Sequence, residues 1–240
     1  MLQNQAKSII KRVLKFFGKR ITNYYAPAKP YLDGVAFLKD IGFIPDWIVD
    51  VGVAEGTPEL HKSFPIGEYK YMLVEADPRY HDALESFQAK YQGDVLLEKC
   101  FCGEVEGEVN FFKNADGRSS SRYAERSSLG LLNVPMRTLD SLAIKNDLKG
   151  KVLLKIDVEG AELDVLRGAV GTLPLCDFVI LESWINITDK GLSKSNFAAL
   201  VSFMESNSFE VFDFFGGHSY SNGVLKMIDI VFKRKDVEFL

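Results

Sequence analysis

Residues Trp47 to Gly56 constrain this chain more than any other stretch. Trp47-Ile48-Val49-Asp50-Val51 is a short, nearly continuous apolar run and predicts a buried strand. It breaks into Gly52-x-x-x-Gly56, with Pro58 close behind. Proline sits well in a first helical turn, where a missing N–H costs little. The stretch therefore predicts strand, glycine turn and helix. Such a turn lets a ligand approach the backbone closely, because glycine has no Cβ. The free N–H groups at the helix start suit a polar ligand. A dinucleotide fingerprint starting at Gly52 needs glycine at positions 54 and 57, and the chain has Ala54 and Thr57 there.

Downstream the same alternation continues. Strands are predicted at 69–75, 94–102, 152–156 and 178–182, and helices at 57–64, 78–91, 161–170 and 195–207. A helix over 31–41, ended by Gly42, precedes them, and Asp77 is a candidate N-cap. Segments 107–113 and 134–138 read as short extra strands and 139–145 as a short helix. Residues 114–129 are too polar, and the segment too long, to form a core element. Strands alternating with helices predict a parallel α/β sheet. The last two strands, 209–215 and 225–233, have no helix between them and predict an antiparallel hairpin at one edge.

A chain of 240 residues with 47% hydrophobic and 26% charged residues suits one large α/β domain with a sizeable core. The net charge of −4 carries no nucleic-acid signature, but its distribution is uneven. Residues 1–32 hold Lys7, Lys11, Arg12, Lys15, Lys19, Arg20 and Lys29 and no acid, which leaves −11 on the remainder. Within them, Ile9, Ile10, Val13, Leu14, Phe17 and Ile21 recur at helical spacing. Residues 1–30 thus read as a basic amphipathic arm and linker, and 31–240 as the domain. The arm, through residues 1–22, suits an anionic membrane surface, the domain itself or a second copy in a homo-oligomer. Cys100, Cys102 and Cys176 have no disulfide or zinc spacing. The apolar stretch at 9–17 is broken by Lys11, Arg12 and Lys15, unlike a signal peptide. A cytoplasmic location is expected, with peripheral contact at the inner membrane surface as one option.

Ligands in a doubly wound sheet sit beyond the carboxyl ends of the strands. Glu75 ends the second strand, 23 residues after Gly52, and its position suits contact with a ribose diol. Asp157, Glu159 and Glu162 crowd the end of strand 152–156, where carboxylates need partners or a ligand.

Two motifs carry a resemblance. Asp50-x-Gly52-x-x-x-Gly56 resembles the loop of class I S-adenosylmethionine methyltransferases. Lys155-Ile156-Asp157-Val158-Glu159-Gly160-Ala161-Glu162, with Val165-Leu166-Arg167-Gly168-Ala169 behind it, resembles the signature of FkbM-type methyltransferases. Leu73-Val74-Glu75-Ala76-Asp77-Pro78, Thr138-Leu139-Asp140 and Ser119-Ser120-Ser121 are similar to further family segments, although Ala76 stands where the family more often has proline. The resemblance covers about 45–232. It implies a Rossmann-like, doubly wound, seven-stranded sheet with a C-terminal antiparallel hairpin, S-adenosylmethionine as cofactor, and O-methylation of a sugar, glycolipid or polyketide-like acceptor. It also implies Asp50, Gly52, Val53 and Gly56 under the cofactor's amino-acid end. Glu75 and Ala76 belong to the ribose side, and Cys100 and Phe101 flank the adenine.

A hydroxyl acceptor benefits from a general base within hydrogen-bond reach. Asp157, which is also a candidate cofactor contact, ranks first, with Glu159 and His218 of the last hairpin behind it. Glu159 and Glu162 have structural alternatives as helix caps or as partners of Lys155. Arg118, Ser119, Ser120 and Glu182 are candidate acceptor contacts. Asp157, Glu159 and Glu182 offer oxygen ligands of the kind hard cations take, yet no metal is assigned. The competing expectations are a SAM-fold transferase acting on an amine and a non-catalytic SAM-binding or membrane-associated scaffold in glycan assembly.

Overall fold

The computed structural model describes residues 28–91, 93–114, 128–185 and 195–238. Arg118, Ser119 and Ser120 and nearly all of the basic arm, with its membrane contact, lie outside the described residues.

The first strand, β1 (Trp47–Val51), is buried at all five positions. Alternate side chains of a strand point to opposite faces, so Trp47, Val49 and Val51 enter one apolar cluster and Ile48 the other. A strand buried on both faces belongs in the middle of a parallel sheet, and β1 lies there. It pairs in parallel with β2 (Lys70–Val74) on one side and β7 (Val152–Ile156) on the other. Next to β2 lies β3 (Val95–Glu98), and next to β7 lies β8 (Cys176–Trp184), both parallel. Beyond β8 the last strands, β9 (Phe209–Ser219) and β10 (Leu225–Arg234), form the expected antiparallel hairpin. The seven-stranded order is β3-β2-β1-β7-β8-β10-β9, and the direction of winding reverses between β1 and β7. That is where such sheets open a ligand crevice.

Helices cover both faces. On one side, α1 (Tyr31–Asp40), α2 (Pro58–Ser63) and α3 (Pro78–Lys90) pack through Val35, Leu38, Leu60 and Leu84 onto Ile48, Tyr71, Leu153 and Phe178. On the other, α4 (Leu139–Lys145), α5 (Glu162–Arg167) and α6 (Phe197–Ser206) pack through Leu142, Leu166 and Met204 onto Val49, Leu154 and Val179. The expected cap of α3 is present, with Asp77 Oδ1 accepting from Arg79 N at 3.0 Å. Among the described residues no helix is long and apolar enough to cross a membrane.

One element differs from expectation. The strand predicted over 94–102 is two strands in different sheets. β3 ends at Glu98, whose carboxylate is held by Lys145 Nζ at 2.7 Å and Asn146 Nδ2 at 2.7 Å. The chain then leaves the main sheet, and β4 (Phe101–Cys102) pairs in parallel with β6 (Ser128–Arg137). β5 (Gly107–Asn114) completes a three-stranded side sheet in the order β4-β6-β5. β6 is longer than the predicted 134–138 because it pairs with β5 along its length. Phe101, Val134, Met136 and Ala161 form a small core beneath this sheet.

Candidate functional site

Two clefts open at the carboxyl ends of the parallel strands, and both are lined by Asp157. The first lies between the loops after β1, β2 and β7, with β4 as its far wall. The second lies between the loop after β1, the start of α1 and the β9–β10 hairpin.

Glu75 anchors the first cleft. It is 6% exposed. Its Oε2 accepts from Ala54 N and its Oε1 from Asp77 N, both at 2.7 Å. Ala54 takes a left-handed φ of 46°. Glu75 therefore ties the glycine loop to the end of β2. Burial raises its pKa, and the N–H groups of Asp77 and Ala54 oppose that rise. Each carboxylate oxygen keeps a further lone pair. Ala76, Cys100 and Phe101 line the same cleft, and Tyr80 joins them.

The glycine loop has a different reason than ligand approach at one of its ends. A Cβ on Gly52, at φ 83°, would stand 1.9 Å from the carbonyl oxygen of Asp157. The loops after β1 and β7 touch there, and Asp157 N donates to Val51 O at 3.0 Å. Gly52 permits that crossing. Gly56, at φ 109°, meets nothing within 4 Å and lines the second cleft. Val53 is buried and lines neither cleft.

Asp50 also lines neither cleft. It is 0% exposed, and its register partner across the β1–β7 ladder is Lys155. Both side chains face α1, so they meet, with Lys155 Nζ 3.4 Å from Asp50 Oδ1. Among the described residues neither oxygen of Asp50 accepts a hydrogen bond. Lys155 Nζ also donates to Asp157 Oδ2 at 3.1 Å. Burial opposes the charge on Lys155, but Asp157 and Asp50 outweigh it and hold its pKa well above the ordinary lysine value. Lys155 is thus the buried hub between strand-end carboxylates. Its neutralisation falls to Asp50 and Asp157, and not to Glu159 or Glu162.

Glu162 has a structural task. Its Oε1 accepts from Gly160 N at 2.9 Å and Val158 N at 3.4 Å, closing the turn that carries Glu159 at φ 52°. Burial raises its pKa to about 7.

Asp157, Glu159 and Glu182 converge, with one carboxylate oxygen from each within 4.8 Å of the others. Burial, then Asp157 and Glu159, push the Glu182 pKa well above the usual carboxylate range. Asp229 of β10 stands opposite Glu182 in register, and burial raises it to about 7. His218 is exposed at the mouth of the second cleft. Tyr31, at the start of α1, lines that cleft with a buried hydroxyl that has no hydrogen-bond partner among the described residues.

Sequence reasoning missed Tyr31, Lys155 and Asp229 as site residues. Asp229 carried a readable signal, a lone acid inside the apolar run Met227-Ile228-Asp229-Ile230-Val231. Tyr31 carried none, because only the docking of α1 brings it to the sheet.

The first cleft fits a nucleoside-bearing cation. It offers a pinned carboxylate for a diol, apolar walls for a planar ring, and the carboxylates of Asp157 and Glu159 for positive charge. Comparison with known proteins agrees in kind. The profile of the methyltransferase FkbM domain matches residues 50–211. The hexuronic acid methyltransferase AglP of Haloferax volcanii is 24% identical over 149 residues, which cover 62% of this chain. The matched part spans 60% of that relative's length. Among solved structures, magnesium protoporphyrin IX methyltransferase (ChlM) of Synechocystis PCC 6803 with bound SAM aligns at a TM-score of 0.45 and 15% identity, over 85% of this chain and 77% of its own. Fibrillarin of Aeropyrum pernix, also with SAM, aligns at 0.44 and 13%, over 82% and 73%.

Proposed function

The chain belongs to the methyltransferase FkbM domain family, and from that premise we propose that it methylates a hydroxyl of a sugar, glycolipid or polyketide-like small molecule. The family's cofactor is S-adenosylmethionine, which supplies a methyl group already activated on a sulfonium. The observation that carries the reading is that the two clefts meet at one carboxylate, Asp157. In this reading the first cleft holds the cofactor. Glu75 takes the ribose hydroxyls with the lone pairs left after binding Ala54 and Asp77, and Cys100, Phe101 and Ala76 flank the adenine. Gly52 and the buried Asp50 shape the floor from below.

The acceptor then enters the second cleft. Asp157 takes the proton of its hydroxyl. Lys155 holds Asp157 in place through the 3.1 Å contact. Placing the oxygen in line supplies several kcal/mol of the barrier on its own, and a positioned base adds about 10²–10⁴-fold. Glu182 contacts acceptor hydroxyls, and His218 stands at the entrance. The relative AglP, a hexuronic acid methyltransferase by name, makes sugar acids the first acceptors to try.

The test has two stages. Calorimetric titration with S-adenosylmethionine and with its demethylated product should give micromolar binding of both, and absence of binding overturns the reading. Label transfer from methyl-labelled cofactor to hydroxylated glycans, uronic acids first, then identifies the acceptor. Asp157→Asn should weaken cofactor binding only modestly, Glu159 remaining, and lower turnover at saturating cofactor about 100-fold or more. Unchanged turnover removes Asp157 from the mechanism.

A further inference from the structure

One wall of the second cleft comes from outside the sheet. Tyr31, at the start of α1, brings to it a buried hydroxyl that has no hydrogen-bond partner among the described residues. Pro30, the N-cap of α1, makes no side-chain hydrogen bond to hold that end. Lys29 holds it instead. Its carbonyl oxygen accepts from Gly216 N at 2.8 Å, and Lys29 bridges in parallel to Phe215 of β9. Its ammonium pairs with the Asp213 carboxylate of β9 and lies 4.4 Å from the centroid of the Phe37 ring on α1. One ammonium thus joins strand and helix, through an ion pair and a cation–π contact. The backbone fits the junction. A Cβ on Gly34 would stand 2.3 Å from the Phe215 ring, so the first turn of α1 lies directly against β9. Gly216, at φ 58°, packs beside Tyr31, whose Cβ is 3.8 Å from where a Cβ on Gly216 would stand. The Tyr31 and Phe215 rings meet at 89° with centroids 6.4 Å apart. Lys29 and Tyr31 precede the matched family segment, and Asp213 follows it.

We propose that Lys29 is a positioning residue for the acceptor: by clamping the start of α1 to β9 it sets the Tyr31 hydroxyl in the second cleft, where that hydroxyl hydrogen-bonds an oxygen of a saccharide or polyol. The acceptor role of Tyr31 rests on the methyl-transfer reading, and the clamp does not. Burial raises the Tyr31 pKa well above the ordinary phenol value, so at neutral pH the hydroxyl keeps its proton and donates. Lys29 lines neither cleft and acts only through the place it gives Tyr31. Its side chain is 39% exposed, and exposed ion pairs add little to stability. Removing it therefore moves Tyr31 without unfolding the chain.

The clamp is tested without turnover. The full chain is labelled with meta-fluorotyrosine, and the fluorine resonance of residue 31 is assigned by its loss in Tyr31→Phe. Lys29→Ala and Asp213→Asn should each move that resonance toward its position in the denatured chain. Lys29→Arg, which keeps the charge, should restore most of the wild-type position. Thermal melting confirms that each variant is folded, and Asp213→Asn serves if Lys29→Ala is not. A resonance unmoved in a folded variant overturns the proposal. The acceptor role is read from label transfer to a uronic-acid glycan. Lys29→Ala should raise the acceptor KM several-fold with kcat largely unchanged, and calorimetry with the demethylated cofactor should give wild-type affinity. Adding Tyr31→Phe to Lys29→Ala should raise KM no further, because both act through one hydroxyl. Effects that multiply would separate Lys29 from Tyr31 and overturn the proposal. If the wild-type chain binds no cofactor, the acceptor role falls with the methyl-transfer reading, and the resonance alone decides the clamp.

Discussion

Glu162 shows what a single buried carboxylate costs. It is 0% exposed, and burial raises its pKa from 4.5 to about 7. Below about pH 4.5 both the folded and unfolded chains hold this proton, and it does not affect stability. As pH rises to about 7 the unfolded chain releases the proton first, so stability falls through that window and stays lower above it. A shift of this size amounts to on the order of 3 kcal/mol. Glu162→Gln keeps an oxygen for Gly160 N–H and removes the titration. Denaturant unfolding across pH should show the variant more stable than wild type above pH 7, with the difference closing below 4.5. A constant difference at all pH values would assign the effect to something other than this proton. The residue's position in the signature run was legible in the sequence. Its task was not, because the loop it closes exists only once Glu159 adopts its left-handed turn.

At the scale of elements, the strand–loop–helix unit around β1 was readable because it depends on local spacing alone. The two glycines of its loop are nonetheless unequal. Both lie at positive φ, but only Gly52 faces a backbone atom, Asp157 O, where a Cβ would fall. Gly56→Ala should cost only the conformational penalty, about 1–2 kcal/mol. Gly52→Ala adds a clash that must separate β1 from β7, and a loss of about 3 kcal/mol or more is expected. Melting temperatures of the two variants check this order, and equal losses would mean that the crossing is soft. The break between β3 and β4 was hidden for the opposite reason. Residues 94–102 keep strand-like composition throughout. What divides them is a choice of partner, with β2 taking one half and β6 the other.

For the whole molecule, the clefts differ in origin. Every residue named in the first lies within 50–211, the matched family segment. The second also draws Tyr31 from before that segment and His218 and Asp229 from after it. The first cleft is thus built from residues of the matched segment, while the second is completed by the flanks. Tyr31→Phe tests this division. Its hydroxyl is buried without a hydrogen-bond partner among the described residues, so its removal should leave the melting temperature unchanged or raise it. Cofactor affinity should hold while the acceptor KM rises several-fold. A fall in cofactor affinity with unchanged KM would place Tyr31 in the other cleft.

The sequence by itself determined the class of fold, the order of most elements, and the carboxylates at the strand ends. These follow from periodicity and from spacings of a few residues, which local backbone geometry reads directly. Only the tertiary structure decided that Asp50 answers to Lys155, that Glu182 joins Asp157 and Glu159, and that Tyr31 closes the second cleft. Each of those pairings joins residues far apart in the chain. They depend on β1 lying beside β7, on β8 lying beyond it, and on α1 folding back over their ends. Sheet order and helix docking come from burying apolar faces against one another across the whole chain, and no short run of residues encodes them.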